Sequence, residues 1–528
     1  MSPSIFKFSS FWRWLMKDFF GIIREMRWTY VPPLMVYLAA GISGFTGIIE
    51  SFFVKEELGL SAAFLAGLGF WAGLPWALKM PFGHLVDLHW HRKSMFVYLG
   101  AALMAGSIAI MIGLTGHKTF MATIMALDKW YVIATLVSPV GFVLQDVVAD
   151  AMTVEAVPSY DENGVKIPQH EFERMHITMQ TLGRIAIIGG SAIVAGVGGW
   201  LAMSISYYSM YKLSLIIPVI SVLGAIIGVW NVRRLRIHYR NSGCSEEEIC
   251  ELLRPEVCNM KPNWYILGGG IVFVVISVTL GMSQLAAKKE VIFFASLAIV
   301  MYLMRHLLKD LEPLKRRDIV GIAIIVFVFR AMPGIGAGAS WWQIDVLKFD
   351  EAFFGTLRQI SSILAIIGMF ALRGWMSRRP IPYLVIFLSV YATLMMMPFV
   401  GMYYGLHEWT EKIFGFGART IAIIDTMADS PMGQVSMIPM LAWIAREAPL
   451  EQKATYFAVM AAFTNLALSA SSLGTNYLNE IFVVGRGQYG ELGKLMITAT
   501  VIGLVLPVAT VIIVNRRNRS IRKQEILT

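Results

Sequence analysis

The chain reads as long apolar runs joined by short polar connections. At 1.5 Å of rise per residue, an apolar run of about 20 residues crosses a hydrocarbon layer of roughly 30 Å as a helix. Six such runs fall near residues 33–53, 63–83, 94–114, 130–155, 176–202 and 209–231. Six more fall near 318–340, 352–373, 381–405, 415–444, 454–479 and 494–514, and a further pair, near 264–285 and 291–308, lies between the two sets. The pattern predicts an all-α polytopic membrane protein of about fourteen transmembrane helices, a 6+6 helix bundle with two additional spans between the halves. The implied boundaries are a cytoplasmic or interfacial N-terminal segment over 1–32, a first six-helix bundle over 33–232, and a linker with the two extra helices over 233–317. A second six-helix bundle then covers 318–514, and a cytoplasmic basic tail covers 515–528. Within the linker, Ser245 followed by Glu248 forms a capping box, which predicts a short surface helix that stops before Pro255.

Polar positions inside the apolar runs carry the functional signal. The fourth run holds Gln145, Asp146, Asp150 and Glu155; the two aspartates are four apart and share one face of a helix. Far downstream, Asp425 and Asp429 repeat that spacing inside another apolar run. Carboxylates in an apolar span are expensive to keep there and face a protein interior or a watery cavity. Two such helices in corresponding places predict a secondary transporter built from two related halves. Counted from the span ends, Asp146 and Arg184 lie at about the same depth, roughly 12–14 Å from one surface, which predicts a buried Arg–Asp pair. Arg330 sits mid-span ahead of Pro333 and Gly334, which loosen the helix. It is read either as the cation for an anionic substrate or as a partner for Asp425. Pro431 frees a backbone carbonyl beside Asp425. Lys79, Asp87 and Glu155 lie near the inner surface and are read as gate contacts or topology anchors.

Composition narrows the class. The chain is 56% hydrophobic and 15% charged with mean hydropathy +0.62, where a soluble protein carries about 25% charged residues. The net charge of +10 comes from basic residues clustered in the connections, a topology signal that removes any need for a nucleic-acid partner. Basic connections after the second and sixth spans and at the C-terminus predict that both termini are cytoplasmic, with the chain in the plasma (inner) membrane. Aromatic residues interleaved with Arg13, Lys17, Arg24 and Arg27 predict an interfacial N-terminal helix. Cys244, Cys250 and Cys258 match no zinc spacing and are read as reduced thiols in a cytosolic loop. No metal or cofactor is expected: the pair His89 and His91 lacks a third ligand at suitable spacing. No phosphate-binding loop occurs, so no ATPase is implied.

A basic connection between spans two and three of each half, with Gly83, Asp87, Arg92 and Lys93 in the first, resembles the major facilitator superfamily. Three stretches together resemble the folate-biopterin transporter family within it. They are Leu74 to Gly83 with Lys79 and Pro81, the acid-rich segment Gln145 to Glu155, and Arg446 to Asn465. Phe349, Phe353, Gly355 and Arg358 fit the same pattern. The resemblance implies a pterin or folate substrate and adds Asn465 to the substrate and coupling residues. Met80 between Lys79 and Pro81, and the two extra spans, depart from the family pattern; the muropeptide-permease group is a neighbouring alternative.

The expected function is a secondary active transporter for a small organic anion, working by alternating access and coupled to protons. In that reading Asp146 and Asp425 exchange the proton, while Asp150 and Asp429 form an inner relay. The bland alternative is that all four only satisfy arginines in a fixed bundle. The rival class is an intramembrane aspartyl enzyme with Asp146 and Asp425 sharing a proton; neighbouring arginines, which lower carboxyl pKa values, argue against it. Trp71, Trp76, Trp341 and Trp342 are candidates to stack a planar ring, although an aromatic belt accounts for the last two. Gly189, Gly190, Gly196, Gly198 and Gly199 read as close-packing positions in a span.

Overall fold

The structure is a computed structural model that describes residues 25–157, 167–241, 243, 245–253, 262–283, 285, 287–309, 311–376, 379–432 and 453–527. The expected N-terminal interfacial helix, Cys244 and Cys258, and the stretch from Arg446 to 452 lie outside these residues. The described chain is helical apart from turns, connections and an isolated bridge between Gly485 and Gln488. The main helices of the first part are α1 (Val31–Ile42), α2 (Ala62–Ala77), α3 (Lys79–Leu88), α4 (Ser94–Gly116), α5 (Leu127–Ala156), α6 (Gln169–Ser204) and α7 (Ile216–Asn241). The intervening pair is α8 (Trp264–Met282) and α9 (Lys288–Leu307). The last part holds α10 (Pro313–Arg330), α11 (Glu351–Met376), α12 (Ile381–Tyr403), α13 (Ala418–Asp429), α14 (Lys453–Ile481) and α15 (Leu492–Leu527).

Among the described residues, eight helical stretches are long and apolar enough to cross a membrane by length and composition. Large apolar side chains stay exposed along them, including Ile193, Trp200, Val219, Leu223, Val275, Val278, Val501 and Val505. Exposed rows of this kind suit hydrocarbon, where helices satisfy their own backbone hydrogen bonds. The protein is an all-helical, polytopic membrane protein.

The most extensive packing joins α4 with α5, α6 with α11, and α2 with α14. In six-plus-six numbering the last two contacts pair the fifth span with the eighth and the second with the eleventh. Exchanging the halves maps one contact onto the other. The α6–α11 contact depends on missing side chains: a Cβ on Gly199 would lie 2.8 Å from Gly355 Cα, and one on Gly355 would lie 2.7 Å from Ala195 O. The pair α8 and α9 packs together and against α3 and α14. Phe273, Ile292 and Phe293 of the pair share a core with Phe70, Leu74, Leu466 and Leu473. Lys289 of α9 also donates to the buried Asn476 of α14.

Two expected spans are broken. The run near 63–83 is two helices meeting at Leu78, because Pro81 has no N–H to donate back to Ala77. The run near 318–340 stops as a helix at Arg330, and a short helix resumes at Gly338–Asp345. The expected capping box is present: Ser245 N donates to Glu248 Oε2 at 2.7 Å and Glu248 N to Ser245 Oγ at 3.2 Å. The Ser245 backbone N–H, and after it the Ser245 hydroxyl, hold the Glu248 carboxyl below its ordinary range.

Candidate functional site

Asp146 and Asp150 lie one turn apart on α5, and a single cation serves both. Lys79, the first residue of α3 beyond the break at Leu78, places Nζ 2.6 Å from Asp146 Oδ2 and 2.7 Å from Asp150 Oδ2. Tyr37 of α1 donates its hydroxyl to Asp150 Oδ1 at 2.6 Å. Side-chain exposure rises from 19% at Asp146 to 47% at Asp150, so the cluster opens at Asp150. The expected Arg184–Asp146 pair is therefore not formed. Arg184 lies close enough to act electrostatically on Asp146 and makes no ion pair among the described residues. Counting residues along two spans gives their depth but not the direction each side chain takes around its helix. That direction selects Lys79 over Arg184.

The neighbouring candidates point elsewhere. Gln145 is 3% exposed and donates to Val97 O at 3.3 Å and Ser221 Oγ at 3.0 Å, tying α5 to α4 and α7. Glu155 pairs with Lys93, whose Nζ also sits 3.3 Å from the Trp90 ring centroid. Asp87 lies beside His84 near the end of α3. Arg92 is exposed in the connection that follows.

The second aspartate pair is laid out differently. Asp425 and Asp429 of α13 form no ion pair among the described residues, and buried Asp425 Oδ1 has no hydrogen-bond partner. Tyr391 of α12 donates to Ala428 O at 2.5 Å, between the two acids in sequence. Arg330 does not pair with Asp425, and its buried Nε has no partner. Among the described residues the sequence repeat is thus not a repeat of charge environment: one copy holds a lysine and the other does not.

Beyond Arg330 the backbone leaves the helix, and α14 satisfies what the break exposes. Ser471 Oγ donates to Met332 O at 2.6 Å, Gly334 N donates to Thr475 Oγ1 at 2.8 Å, and Asn479 Nδ2 donates to Ile335 O at 3.0 Å. Gly336 has φ +87°, and a Cβ there would lie 2.8 Å from Asn479 Nδ2. Sequence reasoning missed these three partners. Their signal is visible in hindsight as Ser471, Thr475 and Asn479 at a spacing of four, one polar stripe on one helix face. Asn465, lower on α14, donates weakly to Trp76 O at 3.4 Å and bridges to α2.

A second polar cluster ties the opposite end of the bundle together. Lys55 and Tyr489 both donate to Asp345, Arg486 Nη2 donates to Val54 O at 2.9 Å, and Tyr207 donates to Glu351 at 2.9 Å. Burial pushes the Asp345 carboxyl up, but the hydrogen bonds from Lys55 and Tyr489 outweigh it and hold the group below its ordinary range. Trp341 and Trp342 lie beneath this cluster at 2% and 4% exposure, with Trp342 packed against Met402, Leu478 and Leu492. They are core residues and not members of a lipid-facing aromatic belt.

The chain matches the BT1 family over residues 40–527. A folate-biopterin transporter from Synechocystis sp. is 21% identical over 504 residues, covering 94% of this chain and 84% of that protein. Among solved structures, the peptide transporter POT in complex with sulfate aligns at TM-score 0.58 and 14% identity, covering 92% of this chain and 95% of the other. The nucleoside transporter NupG aligns at TM-score 0.55 and 12% identity, covering 92% and 98%. At these identities the structural likeness speaks to the fold.

Proposed function

The chain belongs to the BT1 family of membrane transporters, and we propose that it carries a small organic anion of the pterin or folate class by alternating access, coupled to protons. The observation that carries the reading is Arg330. A guanidinium inside an apolar span, with its buried Nε unpartnered and no carboxylate paired to it among the described residues, is a costly arrangement for a merely structural residue. A substrate carboxylate would pair with it through two parallel N–H donors. The helix ends immediately after this arginine, at Ala331. The name of the Synechocystis relative supports the pterin or folate class.

The aspartates divide the remaining work. Asp425 and Asp429 have no lysine or arginine partner among the described residues and are the proton-accepting pair; Asp146 and Asp150, which share the Lys79 cation and, at Asp150, the Tyr37 hydroxyl, hold α1, α3 and α5 together and respond when that contact opens. The architecture proposed with this function is two six-span halves over 33–232 and 318–514, with α8 and α9 as additional spans and both termini cytoplasmic in the plasma membrane.

Ligand-induced thermal stabilisation of the purified protein tests the substrate. Reduced folate or a pterin is expected to raise the melting temperature, and Arg330→Gln is expected to abolish the shift while leaving the unliganded transition in place. An equal shift in both proteins would remove Arg330 from the site, and a shift with anhydro-muropeptides alone would replace the substrate class. In proteoliposomes, Asp425→Asn is expected to keep exchange at equal concentrations and to lose accumulation driven by a pH gradient.

A further inference from the structure

We infer that Glu50 is a proton-binding site of its own, controlled by Arg358 from the other half of the chain. Glu50 lies on the helix Gly47–Phe53, inside the apolar stretch Trp28–Leu58 and about 12 Å from its far end by residue count. It is separate from both aspartate pairs and is half-buried. Tyr131 of α5, itself 5% exposed, donates to Glu50 Oε1 at 2.8 Å. No lysine or arginine forms an ion pair with Glu50 among the described residues.

Two further observations point to a titrating group. Tyr211 is 3% exposed, its hydroxyl has no hydrogen-bond partner, and it lies within electrostatic reach of Glu50, Tyr131 and Tyr207. A hydroxyl can donate and accept, so if it comes within hydrogen-bond distance of an acid it suits either protonation state. Arg358 of α11 also acts electrostatically on Glu50 without pairing to it. Its Nη1 lies 3.1 Å from where a Cβ on Gly47 would be, one turn along the same face as Glu50. The groups facing Glu50 are therefore Tyr131 on α5, Tyr211 on the helix Tyr207–Ser214, and Arg358 on α11. Tyr207 is already committed to Glu351.

A carboxylate in an apolar wall with no paired cation is costly, and taking up a proton removes that charge. When the gap to Arg358 closes, the acid releases H⁺ to water and the carboxylate pairs with the guanidinium; when it reopens, the proton is taken back. Glu50 and Arg358 sit on different halves, so the rocking motion of an alternating-access carrier is the movement that changes their separation. In this respect the inference rests on the carrier reading above. Glu50 thereby reports which way the carrier faces through its own proton.

The test is infrared spectroscopy of the purified protein in lipid over a pH series, combined with proton-to-substrate stoichiometry in proteoliposomes. Across the pH series a protonated-carboxyl band is expected that Glu50→Gln removes and Glu50→Asp shifts, and Arg358→Gln is expected to move its loss to higher pH. Glu50→Gln is also expected to lower the stoichiometry by about one proton per substrate. If the band is the same in wild type and in both Glu50 variants, the inference is overturned whatever the transport result. If no pterin or folate is carried but the band behaves as described, the substrate reading fails and the proton site stands.

Discussion

Lys79 is held by two carboxylates at once, and its removal leaves both without a cation. Breaking a fully buried ion pair costs about 3–5 kcal/mol. Here Asp150 is 47% exposed on its side chain and water offsets part of that loss, so Lys79→Gln is expected to destabilise by about 2 kcal/mol. Adding Asp146→Asn to the same chain should recover about half of the loss, because the remaining buried charge is then gone. Thermal unfolding of the three proteins in detergent checks this. Equal melting temperatures for wild type and Lys79→Gln would show that Arg184 or solvent carries the charge instead. The aspartates themselves were legible in the sequence, since carboxylates in apolar runs stand out. Their partner was not, because Lys79 is reached across a helix break at Leu78 and lies 67 residues from Asp146.

The polar stripe of α14 governs the break in α10. Asn479 is 2% exposed and donates to Ile335 O and, within its own helix, to Thr475 O at 2.9 Å. Asn479→Leu would leave the Ile335 carbonyl without that donor, at about 1–3 kcal/mol. The expected signature is local: amide exchange across 332–337 quickens while exchange in the middle of α4 is unchanged. Uniform quickening throughout the chain would mean that the residue serves global stability and not the break. The same helix reaches Lys289 of α9 through Asn476, so one element couples the break near Arg330 to the additional pair. Pro333 and Gly334 announced the break in the sequence. The helix that would satisfy it could not be known, because a hydroxyl at spacing four fits a back-bond within its own helix equally well.

At the scale of the whole molecule the two ends differ. One end is tied by Lys55, Tyr489 and Arg486 between segments far apart in sequence, and by the close approach of Gly199 to Gly355. The other carries the basic connection at Arg92 and Lys93 and the capped helix after Ser245. Under the proposed arrangement with cytoplasmic termini, the basic end would lie in the cytoplasm and the tied end outside. Thr119→Cys, in the connection after α4, is then expected to react with an impermeant maleimide in intact cells, whereas Ser245→Cys reacts only after permeabilisation. Labelling of Ser245→Cys from outside would refute the arrangement with cytoplasmic termini.

The sequence by itself determined the class of molecule: helical, membrane-embedded, in the BT1 family, with acids placed inside its spans. Apolar run length and intramembrane carboxylates are one-dimensional properties, set by bilayer thickness and by the cost of charge in hydrocarbon. What only the tertiary structure decided is which charges meet. Asp146 and Asp150 share Lys79 while their downstream copies, Asp425 and Asp429, have no such cation among the described residues, although the two segments look alike in sequence. Ion pairing depends on the rotation of each helix about its axis and on breaks such as those at Leu78 and Ala331. Neighbouring helices set these through packing, and a run of apolar letters leaves them open.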